Sequence, residues 1–478
     1  MELIRKKIIA DFVTPVGAFS IFKKNKYCFL LESVEKGKAA RYSFLGFGPR
    51  QVYKLYSDRV EVFKRKNKEY KIKQTVVTKN PLEYIQNIQD KYKINTDNNL
   101  PPFCGGLVGF AGYEIIKTWE KINFKHDFSS DFPLGVFMFA DEFVVFDHLH
   151  RSAEVIKLIV NGRKKEKKNA EKRVSEIAEK LTSAKIYSKF LNLEEKKDVG
   201  FESNFTKQEF EKKVQEIKEN IFSGQIIQGV FSQRISVDCN EDPFDYYRAL
   251  RVINPSPYMF YLRLDDIFLC GSSPEILVKV EGCQAVVRPI AGTRPRGVDE
   301  SEEKEMMEEL KSDPKERAEH IMLVDLGRND LGRVCKYGTV NTSNLMTVEK
   351  YSHVMHLVTD VKGELKKGVK STQVFKSCFP AGTVSGAPKL KAIEIISDKE
   401  NCARGPYAGS VGYFSFTGDM DMCITIRTIT VYKGKAFIQA GAGIVADSVP
   451  ENEYQETLNK AKALLNAVKI AGNNTRRK

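Results

Sequence analysis

The chain has 478 residues, 42% of them hydrophobic and 29% charged, with a formal charge of +14. This is ordinary composition for a soluble globular protein, and the length is too great for one typical core, so two domains are expected. The longest apolar stretches, such as Pro133 to Ala140, fall far short of the roughly 20 residues of a spanning helix, and the charged start MELIRKKIIADF has no signal-peptide character; a cytoplasmic protein without membrane contact is expected.

Nine cysteines, scattered and without a C-x-x-C pair, write neither a disulfide framework nor a zinc site. The basic excess is one-sided: residues 1–200 hold 38 Lys and Arg against 25 Asp and Glu, whereas residues 201–478 hold 38 against 37. Its runs, Lys64 to Lys73 and Arg163 to Arg173, interleave Glu and lack the aromatics on which single-stranded nucleic acid stacks. A solvated lysine-rich surface is the preferred reading, with no nucleic-acid partner.

In chain order, Tyr27 to Leu31, Val52 to Leu55 and Arg59 to Phe63 read as short strands, and Pro81 to Tyr92 as a helix. PPFCGGLVGFAGYE (101–114) carries four glycines in an apolar stretch, as strands do where another backbone comes close. Residues 161–200 form a charged linker with an amphipathic helical pattern around Val174, Ile177 and Leu181. Thr206 and Glu209 form a capping box before a helix whose apolar positions are Phe210, Val214, Ile217 and Ile221, closed by Gly224. Strands are predicted at 226–237, 258–264, 267–270 and 284–289, and a last helix from Glu451 to Ile470. The class is α+β. The echo between GGLVGFAGY (105–113) and YAGSVGYFSF (407–416) is compatible with an old duplication relating two similar sheets and equally with chance.

Four segments can carry chemistry. In SDPKERAEHIMLVDLGRND (312–330), Asp313 and Pro314 start a helix, and Glu316 is either a third-position capping partner or, with Glu319 one turn on, half of a buried carboxylate pair that needs a cation or protons. The apolar IMLVDL predicts that this helix is buried on nearly every side. On the last helix Glu453, Glu456 and Lys460 share one face, and the preceding QAGAGIVADSVPENE (439–453) reads as a Gly-Ala-Gly turn that exposes backbone N–H groups to an anion. Two helices offering only oxygen ligands suit Mg²⁺ beside a substrate carboxylate. FPAGTVSGAPKLKAIEII (379–396), with Ser385 as a possible N-cap, and RPIAGTRPRG (288–297) are further candidate cradles; any of them can also be a plain tight turn. His353 and His356 lie on a predicted strand and face opposite sides, so at most one serves any given site. No nucleophile elbow or dinucleotide-binding motif is present.

Together PIAGTRPRG, KERAEHIMLVDLGRNDLGRV, YSHVMHLV, PAGTVSGAPK, RGPYAGSVGY, IRT and QAGAGIVADSVPENEYQET resemble, in order, the chorismate-utilising enzymes, and within them the anthranilate-forming branch. The resemblance covers nearly the whole chain and implies large, mostly antiparallel sheets packed together with helices outside. It implies an N-terminal domain over 1–160, a catalytic domain over 201–470 and a basic tail over 471–478. It also implies Mg²⁺ on Glu319 and Glu456 with Glu316 and Glu453 close by. Gly441 and Gly443 would receive the ring carboxylate, Tyr407 and Arg427 the enolpyruvyl carboxylate, and Gly292, Thr293 and Thr383 would line the ring pocket. Glu275 would be the acid that protonates the departing C4 hydroxyl, His356 would assist pyruvate elimination, and Lys460 would lie near the metal.

Gln228 stands where the water-using relatives carry a basic lysine, and Ala291 where the aminodeoxychorismate synthases carry a nucleophilic one, so ammonia is the implied nucleophile. No glutaminase motif is present in the chain, which implies a separate glutamine amidotransferase subunit. Ser33, Pro255, Tyr258 and Met259 resemble a feedback site for tryptophan. The alternatives are an aminodeoxychorismate synthase component and a non-catalytic basic binding protein; two Glu pairs weigh against the latter.

Overall fold

A computed structural model describes residues 1–33, 41–94, 100–128, 132–160, 162–183, 191–194, 199–350 and 354–472; His353 and the end of the basic tail lie outside them. Two 12-stranded antiparallel sheets dominate the described residues. At the middle of the first, strand Tyr27–Glu32 pairs with Tyr258–Leu264; at the middle of the second, Gly106–Ala111 pairs with Ser410–Ser415. Both sheets therefore take strands from both sides of the 161–200 segment. That segment contributes a 20-residue helix, Lys164–Ser183, which buries Ala170, Val174, Ile177, Ala178 and Leu181 as its apolar periodicity predicts.

The glycine-rich echo is corrected in one respect. Its two segments are not in separate sheets: they are neighbouring strands, with Gly109 opposite Gly412. Each opens an equivalent run, because 106–111, 135–140, 142–147 and 152–159 follow the same course between the sheets as 410–415, 420–424, 428–432 and 435–444. The likeness relates two halves of the chain. Close approach explains the glycines, since a Cβ on Gly109 would lie 1.8 Å from the Val136 carbonyl oxygen.

The chain passes from the first sheet to the second between Ile267–Ser273 and Ile276–Glu281, and returns between Met420–Ile424 and Thr428–Tyr432. Glu275 and Arg427 occupy these crossovers. The crossovers bond to the neighbouring strand ends, Ile424 N–H to the Glu275 carbonyl at 3.0 Å and Ser272 N–H to the Arg427 carbonyl at 3.1 Å.

Helices frame this junction. Lys207–Phe222 starts with the predicted capping box, Thr206 receiving the Glu209 N–H while the Glu209 carboxylate receives the Thr206 N–H. Pro314–Gly332 is capped by Asp313. It is not buried all round: His320, Leu323, Val324, Gly327, Asp330 and Leu331 face the core, while Ile321 is 46% exposed and Asp325 is exposed. The last helix, Pro450–Gly472, buries Ala461, Leu464, Ala467 and Val468. Its Glu456 and Lys460 stay on the open side, with Glu453 buried nearer the helix start. No described helix is long and apolar enough to cross a membrane.

Candidate active site

The residues singled out above converge. Gln228 opens the strand Gln228–Asp238, is 3% exposed, and directs its Nε2 to Glu319 Oε1 at 3.5 Å. Gly443 lies opposite Val230 on the paired strand, and a Cβ there would be 2.7 Å from Gln228 Nε2. Gly441 likewise would meet the Tyr407 hydroxyl at 2.8 Å. Both glycines therefore pave a floor that any side chain would fill. They lie inside the strand Lys435–Ile444, so the expected Gly-Ala-Gly turn is corrected; the turn comes later, where Ser448 receives the Val445 N–H. Glycine reads as a turn signal, whereas here it answers the approach of Tyr407 and Gln228.

Glu316 is not a capping partner. Its backbone N–H bonds Asp313, but its carboxylate pairs with Arg294 at 3.1 Å and lies near Gly292, which sits at φ +65°. Burial and the neighbouring carboxylates of Glu316 and Glu456 push Glu319 above the usual carboxylate range. Burial, with Glu456 beside it, does the same to Glu453. Lys460 Nζ bridges Glu456, at 2.6 Å, and the Gly441 carbonyl, at 2.9 Å. Arg427, held at φ +51°, donates to the Lys460 carbonyl at 3.0 Å.

Tyr407 is half-buried; desolvation pushes its phenol up to about 12, against the pull of the Arg404 and Arg427 charges. On the opposite wall His356 Nδ1 lies 2.8 Å from the Gly292 carbonyl and 3.1 Å from Thr293 Oγ1. A carbonyl only accepts, so Nδ1 carries the proton and Nε2 keeps a lone pair. Burial lowers this imidazole's pKa and keeps it neutral.

Glu275 is 8% exposed and receives the Thr383 hydroxyl at 3.0 Å. Burial drives its carboxyl up to about 8, against the Thr383 bond and the Lys460 charge. Thr383 stands in the short turn Gly382–Val384. Ser385 is not an N-cap: it is buried and donates back to the Ala381 carbonyl, and the following helix, Lys389–Lys399, starts at Pro388.

The oxygen-only set around Glu319 fits a hard divalent cation, because crowded carboxylates raise one another's pKa until a cation relieves them. Among the described residues no group of three or more acidic, His or Cys side chains is placed to hold a metal ion by itself. An ion here needs substrate and water oxygens to complete its shell, as Mg²⁺ commonly does.

Of the residues expected to form an effector site, Ser33 and Tyr258 lie opposite each other, with Met259 next along the strand. Met259 is opposite Glu32, which brings Tyr258 beside Ser33, whose buried hydroxyl has no partner among the described residues. Tyr258 donates across to Asp421 of the second sheet at 3.0 Å. Pro255 lies half-buried just before this strand.

Sequence reasoning missed Arg294, which serves Glu309, Asp313 and Glu316 together, and the buried pair Glu400–Arg404. The only signal for the second was an arginine inside a glycine-rich apolar motif.

A family model described as chorismate binding enzyme matches residues 26–466. The component 1 chain of anthranilate synthase from Acetivibrio thermocellus is 46% identical over 476 residues, covering 98% of this chain and 95% of the relative. That of Aquifex aeolicus is 45% identical, covering 97% and 94%. Among solved structures, anthranilate synthase component I from Streptococcus pneumoniae TIGR4 superposes with a TM-score of 0.79 at 35% identity, covering 96% of this chain and 99% of that one. The menaquinone-specific isochorismate synthase of Escherichia coli, at 17% identity and TM-score 0.72, shares the fold. A match over nearly the whole length, on a site whose residues converge, makes this chain an enzyme of the chorismate-binding family, with component 1 chains of anthranilate synthase as its full-length relatives.

Proposed function

We propose that the chain converts chorismate and ammonia to anthranilate, pyruvate and water, the committing step of tryptophan biosynthesis, with ammonia delivered by a glutamine amidotransferase partner. The observation that carries this reading is Glu275, a buried carboxyl held neutral near pH 7 at the crossover between the sheets. A leaving hydroxide needs a proton, and a carboxylic acid of raised pKa supplies it.

Arg427 and Tyr407 orient the enolpyruvyl carboxylate, the planar guanidinium being suited to bidentate recognition. The floor at Gly441 and Gly443 admits the ring carboxylate, and Gly292, Thr293 and Thr383 confine the ring. Glu275 protonates the C4 hydroxyl, which leaves as water while ammonia bonds to C2. Gln228 holds no base at that wall, and ammonia, already a nucleophile, needs none. His356 Nε2 then accepts a proton as pyruvate leaves and the ring becomes aromatic. Glu319 and Glu456, with Glu316 and Glu453 beside them, would hold Mg²⁺, which when bound neutralises the ring carboxylate. Lys460, paired with Glu456 and with the Gly441 carbonyl, keeps the metal side and the floor in register.

Ser33, Pro255, Tyr258 and Met259 form the tryptophan site in this reading, and the unpartnered Ser33 hydroxyl supports a ligand there. The test is anthranilate fluorescence from the purified chain with chorismate, Mg²⁺ and an ammonium salt, with and without EDTA. Metal-dependent fluorescence supports the proposal. Chorismate loss without fluorescence points to amination or hydroxylation without elimination and overturns it.

A further inference from the structure

Arg404 is 2% exposed, in a position where an unpaired guanidinium would be prohibitively costly. It is fully committed to structure around the site. Its Nε and Nη2 grip Glu400 at 2.9 and 2.7 Å, Nη2 also donates to the Val230 carbonyl at 2.6 Å, and Nη1 donates to the Val384 carbonyl at 2.6 Å. Its plane lies over Tyr113, 4.5 Å from the centroid, and 5.6 Å from that of Tyr407. Its backbone is pinned separately, the N–H groups of Arg404 and Gly405 bonding Glu114 at 2.7 and 3.0 Å. Glu400 extends the grip, receiving both the N–H and the hydroxyl of Ser232, the residue opposite Gly441.

The elements tied in this way are those that carry the site. Val384 follows Thr383, the partner of Glu275. Val230 lies two residues after Gln228 and opposite Gly443. Tyr407 stands over Gly441. We propose that Arg404, held by Glu400, is a positioning residue that fixes the Thr383 turn, the Gln228 strand and Tyr407 in one geometry, acting on chorismate through them without touching it. A buried ion pair adds little net stability compared with a well-packed apolar pair. Two guanidinium bonds to Glu400 and one each to the Val230 and Val384 carbonyls, with the ring of Tyr407 alongside, supply the specificity that such a pair would lack.

This inference rests on the proposed reading of the site, so the two are tested separately. The wild type is first assayed for anthranilate, which tests the reading alone. Arg404→Lys and Glu400→Gln are then compared with it for folding by circular dichroism, for calorimetric chorismate affinity, and for kcat and KM across pH. Calorimetric affinity reports on positioning whatever product the wild type makes. A lysine keeps the charge and cannot reach Glu400, Val230 and Val384 together.

The expected result for Arg404→Lys is a fall in chorismate affinity of about tenfold, with the alkaline limb of kcat/KM moved to higher pH. The limb moves because a displaced Thr383 no longer stabilises the Glu275 carboxylate; Lys460, and Arg288 and Asp330 across the adjoining cavity, face the same group and are unchanged. Thr383→Val should move the limb in the same direction, and the double variant should move it no further. A folded Arg404→Lys with wild-type affinity and limb, or an additive double variant, overturns the proposal. If Arg404→Lys fails to fold, Glu400→Gln decides by the same two criteria.

Discussion

Replacing Glu275 by glutamine separates the acid's chemistry from its effect on stability. Burial lifts this carboxyl from 4.5 to about 8, while in the unfolded chain it ionises in the ordinary range. Folding therefore takes up a proton between those two values. The stability contributed by the neutral acid is complete below pH 4.5 and is lost as pH rises through 8. At about 1.4 kcal/mol per pH unit, the loss is about 3 kcal/mol at pH 7 and about 5 kcal/mol above pH 8. Glutamine keeps an acceptor for Thr383 and has no charge to bury. Glu275→Gln should thus melt higher than the wild type by a margin that is absent near pH 4.5 and grows up to pH 8, while kcat falls about 10²- to 10⁴-fold. Scanning calorimetry from pH 4.5 to 9 beside the fluorescence assay measures both. The wild-type kcat/KM should fall above pH 8, where the acid is spent. A variant that melts no higher at pH 8, or that keeps more than about a tenth of wild-type turnover, would refute the assignment.

Gly441→Ala places a methyl 2.8 Å from the Tyr407 hydroxyl and 2.9 Å from the Phe231 carbonyl oxygen, a backbone atom that cannot easily yield; the chorismate KM should rise about tenfold or more and the melting temperature should fall as well, as steady-state kinetics and calorimetry will show. Glu319→Gln removes a carboxylate from the crowded acidic wall and should raise the Mg²⁺ concentration for half-maximal activity at least about tenfold; an unchanged metal requirement means that Glu319 is not a ligand. Ser33→Leu puts a bulky apolar side chain opposite Tyr258 and should abolish tryptophan binding by calorimetry while kcat without tryptophan is retained; undiminished binding removes Ser33 from that site.

Local signals were legible and distant ones were not. The capping box at Thr206, the period of the 164–183 helix and the β-rich run of the 258–264 strand act within a few residues, and each was readable from the chain alone. The glycines at 441 and 443 were misread as a turn because their cause, Tyr407 and Gln228, lies 34 and 215 residues away and arrives only with the sheet. Glu316 looked like a capping partner for the same reason: Arg294, which takes its carboxylate, comes from another element. Arg404 was missed because arginine ordinarily belongs to the surface, and the glycine-rich apolar motif that it opens was its one local sign of burial. Motifs carried the identities of the site residues, and the pairing of far-separated strands carried their geometry.

That geometry explains why the acid and the arginine are where they are. A residue inside a sheet has its backbone committed on both sides, so its side chain can only point to one face or the other. Glu275 and Arg427 instead stand at crossovers, where the chain leaves one sheet for the other and the backbone can turn a side chain into the space between. Both crossovers are tied by backbone bonds at 3.0 and 3.1 Å, so the freedom is used once and then fixed. The same topology recurs in the first half of the chain, at 47–51 and 140–142, where Asp141 instead receives the Arg50 N–H at 3.2 Å and Lys157 at 3.0 Å. There the carboxylate is saturated by the protein itself. In the proposed reading, Glu275, whose carboxyl has the Thr383 hydroxyl as its one hydrogen-bond partner among the described residues, is the acid that gives up its proton.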